Sequence, residues 1–166
     1  MELKKLTAVS LLTAVGVVSS HIIYLPIGMA KAFPVQHGIN LLTAVFFGPA
    51  YGVGVAFAIS LLRNLLGTGS LLAFPGSMIG VLLAGLLFKK GKSLIYAALG
   101  EIFGTGILGA LVSYPVAKYL MGKEMALFFY VGPFILSSVV GVITGWIIFK
   151  ALMKIDFIRA NMEYRK

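Results

Sequence analysis

The sequence has no cysteine, which excludes a disulfide framework, a thiolate nucleophile and any cysteine-based metal site. Charge is also scarce: 11% of the 166 residues are charged, against roughly 25% in a soluble globular domain. Acid is scarcer still, with five Asp and Glu against 14 Lys and Arg. No G-x-x-x-x-G-K-[ST] loop is present to cradle a nucleotide phosphate. His21 and His37 each stand without a His or carboxylate three or four residues on, so neither belongs to a metal-ligand pair. No catalytic residue, metal or cofactor is expected.

What the sequence does have is apolar side chain, 60% of the total. A soluble domain of this length has too little interior to hide that much, whereas a membrane takes about 20 apolar residues per crossing. The chain therefore reads as an integral membrane protein. The net charge of +9 is segregated into loops and ends rather than spread along one face, so it does not point to nucleic acid. The start, Met1-Glu2-Leu3-Lys4-Lys5 before an apolar run, resembles a secretory leader. The run continues through Ile23, however, and has no good cleavage site, so a retained first helix is expected.

Glycine and proline punctuation predicts helices over residues 4–24, 36–47, 50–66, 75–90, 93–120 and 125–150. A kink is expected at Tyr114-Pro115, and a basic amphipathic tail follows over 155–166. The second helix spans only about 18 Å at 1.5 Å per residue, short of a roughly 30 Å core. Charge decides whether it counts as a crossing. With six spans Lys4, Lys5, Lys89, Lys90, Lys92 and the tail with Lys150, Lys154, Arg159, Arg165 and Lys166 share one side; with five spans the lysine loop lands opposite. Because positive loops stay in the cytoplasm, the expected architecture is all-α: a six-transmembrane-helix bundle over residues 1–154 with both termini cytoplasmic. Residues 25–36, 67–76 and 121–124 then lie at the outer face. Four glycine pairs at i,i+4, Gly48/Gly52, Gly76/Gly80, Gly100/Gly104 and Gly141/Gly145, suit close helix packing.

The candidate functional residues are the polar groups that lipid makes expensive. Glu101 lies inside the fifth helix, and Arg63 and Asn64 near the outer end of the third. Depth counting leaves roughly 13 Å between Arg63 and Glu101, too far for a direct pair in straight helices. Gln36, His37 and Asn40 open the second helix, where two amides and an imidazole suit a small polar heteroaromatic ligand. Phe74, Tyr114 and Tyr130 are candidate aromatic walls. Gly104-Thr105-Gly106-Ile107-Leu108-Gly109 matches G-x-G-x-x-G, but with no preceding strand and no acid about twenty residues on it is not a dinucleotide site. Ser70 and Ser77 lack a neighbouring base for nucleophilic chemistry.

The run Phe33-Pro34-Val35-Gln36-His37-x-Ile39-Asn40, then Gly48-Pro49-x-Tyr51, then Ser60-x-x-Arg63-Asn64-x-x-Gly67-Thr68-Gly69-Ser70-Leu71-Leu72-Ala73-Phe74-Pro75-Gly76-Ser77-Met78, resembles the ThiW family. These are substrate-binding S components of energy-coupling-factor (ECF) vitamin transporters. The resemblance implies capture of hydroxyethylthiazole, the thiazole precursor of thiamin, at the outer face of a prokaryotic cytoplasmic membrane. It also implies partnership with a transmembrane coupling protein and two cytoplasmic ATPases, and delivery by ATP-driven toppling within the bilayer. The family's small-x-x-x-small pair for docking the coupling protein falls on Ser10 and Ala14, with serine in place of the usual first alanine. The rival expectation is a self-sufficient transporter using Glu101 as a proton relay.

Overall fold

In the computed structural model residues 2–27 and 30–163 are described. The chain forms α1 (Glu2–Ser19), a ribbon of β1 (Leu25–Ile27) and β2 (Ala30–Ala32), α2 (Pro34–Phe47), α3 (Pro49–Leu65), α4 (Ala73–Gly91), α5 (Leu94–Leu120), α6 (Val131–Leu152) and the short α7 (Asp156–Glu163). The architecture is all-α apart from the antiparallel ribbon, in which Leu25 pairs with Ala32 and Pro26 with Lys31. Gly28, placed at the end of the first helix by sequence, and Arg165 and Lys166 of the basic tail lie outside the described residues.

Prolines set the helix starts. Pro34 and Pro49 open α2 and α3, and Pro75 and Pro133 fall in the first turns of α4 and α6, where a missing N–H leaves no bond unmade. This is why α6 begins at Val131 rather than near residue 125 as the sequence suggested. The first helix also ends early, at Ser19. There the Ser19 and Ser20 hydroxyls and His21 Nδ1 bond back to carbonyls of Val15 and Val17, so the last turn closes on side chains instead of continuing. Just after Tyr114-Pro115, where the sequence suggested a kink, α5 is π-helical over Val116–Leu120, and a second π-helical stretch covers Gly104–Gly109.

Three helices, α4, α5 and α6, are long and apolar enough to cross a membrane by length and composition among the described residues. Their outer faces carry exposed side chains such as Leu86, Leu99, Phe103, Ile143 and Ile147. Lipid suits such a surface; water does not.

The shortest of the six long helices sits at the centre. Every residue of α2 from Gln36 to Val45 is buried, and three apolar clusters each claim one of its faces. Ile39 packs with Val9, Val17, Val55 and Ile59 of α1 and α3. Leu41 and Val45 pack with Ala97, Ala98 and Val142 of α5 and α6. Ala44 packs with Ala56, Val81 and Ala84 of α3 and α4.

Glycine permits these approaches. A methyl group at Gly38 would lie 3.0 Å from Gly141 O, and one at Gly145 2.8 Å from Gly38 O. On the other side α4 meets α5 glycine to glycine. A methyl at Gly104 would lie 2.8 Å from Gly80 Cα, and one at Gly109 2.7 Å from Gly76 Cα.

The two ends of the bundle differ. Lys5 Nζ lies 6.0 Å from the Tyr51 ring, and Phe46 lies 5.6 Å from Phe149. These contacts gather the start of α1, the α2–α3 junction and the end of α6 at one end. At the other, Ser20 Oγ lies 3.3 Å from Thr68 Oγ1, and Phe33 N donates to Ser137 Oγ over 3.0 Å. This second end holds the cavity.

Candidate functional site

A cavity of about 470 Å³ opens at the end of the bundle away from the α2–α3 junction. That is within the roughly 300–1,000 Å³ typical of small-molecule sites. Its lining comes from the three segments that the sequence placed at the outer face: Lys31 and Phe33; Gly67 to Ser70; Met121 and Lys123. The helical residues Gln36, His37, Arg63, Ser77 and Phe134 also line it, with Tyr130 from the turn just before α6.

Beneath the cavity runs a continuous polar network. Gln36 Nε2 donates to Ser60 Oγ and Ser77 Oγ, both at 3.0 Å, while its Oε1 accepts from Arg63 Nη1. Arg63 Nη2 donates to Thr68 O over 3.2 Å, and the Phe33 ring stacks on the guanidinium at 3.6 Å. Deeper, one oxygen of Glu101 collects three partners. His37 Nδ1 and Asn40 Nδ2 each lie 2.9 Å from Oε1, and Thr105 Oγ1 donates to it over 3.2 Å. Asn40 Nδ2 also donates to Ser77 O over 3.2 Å, which joins the two halves. Arg63 and Glu101 do not touch, in keeping with the depth difference read from the sequence; Gln36, Ser77 and Asn40 span the gap.

Local sequence explains this convergence. Gln36 and Asn40 are four apart and face α4, as the helical period requires. Glu101 lies one turn before the glycine-rich π-helical stretch, and Thr105, four residues on, shares its face and reaches its carboxylate. Such π segments are frequent at functional sites. With Nδ1 committed to Glu101, His37 has Nε2 left for a ligand in the cavity.

Not every candidate residue meets the cavity. Gln36, His37, Arg63 and Tyr130 line it. Asn40 and Glu101 are fully buried behind that lining. Asn64 is turned to the loop that begins at Gly67, donating from Nδ2 to Ser60 O (2.8 Å) and Ser70 O (3.0 Å). Phe74 packs on Phe57 at 5.6 Å, and Tyr114 lies beside Lys118; neither reaches the cavity. Ser10 and Ala14 are exposed on α1, and Ser10 lines a shallow groove against α3. Sequence reasoning passed over Ser60 and Thr105 as members of the network. Ser77 bonds Gln36 and the Ala73 carbonyl rather than a histidine, so no serine–base pair forms there.

Because Asn64 ties Ser70 of the 67–70 loop to the end of α3, Asn64→Ala is expected to lower stability by about 1–2 kcal/mol. Thermal unfolding in detergent checks this; a melting temperature unchanged from wild type would show that the loop is held by other means.

The family model for the thiamine-precursor transporter protein ThiW matches residues 6–155. The chain belongs to the ThiW family. A solved structure of the S component of a bacterial ECF transporter superposes on it with a TM-score of 0.67 at 25% identity, covering 93% of this chain and 95% of that one. No curated protein matches. This ThiW chain is accordingly a multi-pass membrane protein of a transporter family, with the S-component fold, and not an enzyme.

Proposed function

We propose that this ThiW chain is the S component of an ECF-type ABC importer, capturing the thiamin precursor hydroxyethylthiazole in the 470 Å³ cavity. The single observation that carries the reading is the polar wall on Gln36, His37 and Arg63 at one end of an otherwise apolar bundle. Gln36 and His37 Nε2 bond the heteroaromatic ring or its hydroxyl arm, while Tyr130 and Phe134 give it aromatic cover. Glu101 and Asn40 act from behind, holding His37. Arg63 and Asn64 fix the loop over the mouth.

The six long helices cross the cytoplasmic membrane of a prokaryote, α2 as a short crossing shielded by its neighbours, with residues 155–166 as a cytoplasmic tail. Lys5, Lys89 and Lys150 cluster away from the cavity, so the positive-inside rule turns the cavity outward. Delivery then requires a coupling protein docked on the Ser10/Ala14 face of α1, and two ATPases driving the toppling step.

Calorimetric titration of the purified protein with hydroxyethylthiazole, thiamin and the isolated pyrimidine moiety tests the reading. Tightest binding by the thiazole is expected, and Gln36→Ala should weaken it roughly tenfold or more, since Arg63 Nη1 loses its acceptor. Absence of binding by any of the three would overturn the assignment. The buried His37–Glu101 contact favours one alternative, a self-sufficient proton-coupled transporter. Proton-dependent uptake by vesicles holding this chain alone would establish it.

A further inference from the structure

Among the described residues the cavity is lined by Lys31, Arg63 and Lys123 and by no carboxylate. Of the acids in the sequence, Glu101 is sealed beneath His37 and Asn40, and Glu124 is exposed and outside the lining. Arg63 is the sharpest case. The residue is 1% exposed, yet its bonding partners are neutral: Gln36 Oε1, the Thr68 carbonyl and the Phe33 ring. A guanidinium has five N–H donors, and Arg63 Nε, fully buried, has no partner. A buried cation without a counter-charge is costly, and removing its solvent without pairing it leaves the cost standing. A neutral alcohol would leave that deficit in place, whereas an anion would relieve it.

We infer that the cavity is built for an anionic ligand, with a phosphomonoester received between Arg63, Lys31 and Lys123. Arg63 supplies its uncompensated charge from within the wall, and the two lysines act as point charges from the mouth. The aromatic part of the ligand then lies toward Tyr130 and Phe134. This inference rests on the cavity being the precursor site, and it narrows the substrate to the phosphorylated form of the precursor. Phospholipid headgroups carry the same chemistry, so the test separates the two sources.

The experiment is calorimetry of the full chain in neutral maltoside detergent with three probes: hydroxyethylthiazole, its phosphate monoester and inorganic phosphate. The ester is expected to bind roughly tenfold or more tightly than the alcohol, the worth of one charge-assisted bond. That ratio should shrink as salt rises from about 50 to 500 mM, and fall toward one in the double variant Lys31→Gln, Lys123→Gln. Inorganic phosphate should compete with the ester. An alcohol that binds as tightly as its ester overturns the anion inference and leaves the precursor site standing; failure of both to bind removes both. Repeating the titration in phosphatidylglycerol and in phosphatidylcholine nanodiscs decides the source. Equal ester affinity in the two supports the soluble ligand, and loss of ester binding in phosphatidylglycerol alone assigns the cations to lipid and overturns the proposal.

Discussion

Glu101→Ala is expected to destabilise the protein by about 1–3 kcal/mol, the range for leaving a buried donor without its acceptor. His37 Nδ1 would lose the acceptor it has, while Asn40 Nδ2 and Thr105 Oγ1 would keep one each, the carbonyls of Ser77 and Gly76. The loss therefore concentrates on the imidazole that lines the cavity, and ligand affinity should fall with stability. Glu101→Gln keeps an acceptor oxygen and should be milder on both counts. Unfolding in mixed micelles of maltoside and dodecyl sulfate measures the first effect, and calorimetry the second. An alanine variant that unfolds at the wild-type detergent ratio would mean that the three contacts contribute nothing net.

Gly104→Val is expected to be comparably damaging, by about 3 kcal/mol, at the upper end of the overpacking range. The reason is what the new side chain would strike. The first added carbon would stand 2.8 Å from Gly80 Cα and 2.9 Å from Ile79 O, both backbone, so no rotamer change relieves the clash. Helices α4 and α5 must separate, and Glu101, three residues earlier, moves with them. Gly132→Ala is the control, because a methyl there meets nothing within 4 Å. Equal melting temperatures for the Gly104 and Gly132 variants would refute tight α4–α5 packing.

Much of this was legible before any coordinates, and the physical reasons are specific. Proline lacks an N–H, so Pro34, Pro49 and Pro75 mark helix starts to within a few residues, whereas Pro133 was passed over and the last helix was expected too early. Lipid makes polar groups conspicuous, so Gln36, His37, Asn40, Arg63 and Glu101 stood out on their own. What the sequence withholds is the rotation of one helix against another. Phe74 and Tyr114 lie at suitable depth but on other faces, and only packing reveals that. Ser60 and Thr105 escaped notice because a lone hydroxyl on an apolar helix usually bonds its own backbone four residues back. The Gly104–Gly109 motif was set aside as nucleotide chemistry without its π-helical conformation being visible.

The central placement of α2 bears on how the chain is made. Its hydrophilic start finds its partners late: Glu101 and Gly141 emerge from the ribosome long after Asn40. Until then the Gln36–Asn40 turn has no complete shelter from acyl chains, and Pro49 ties it to α3 as a hairpin. A nascent chain halted before α5 would therefore hold an incomplete bundle with bare amide and imidazole groups, a ready signal for membrane quality control to seize.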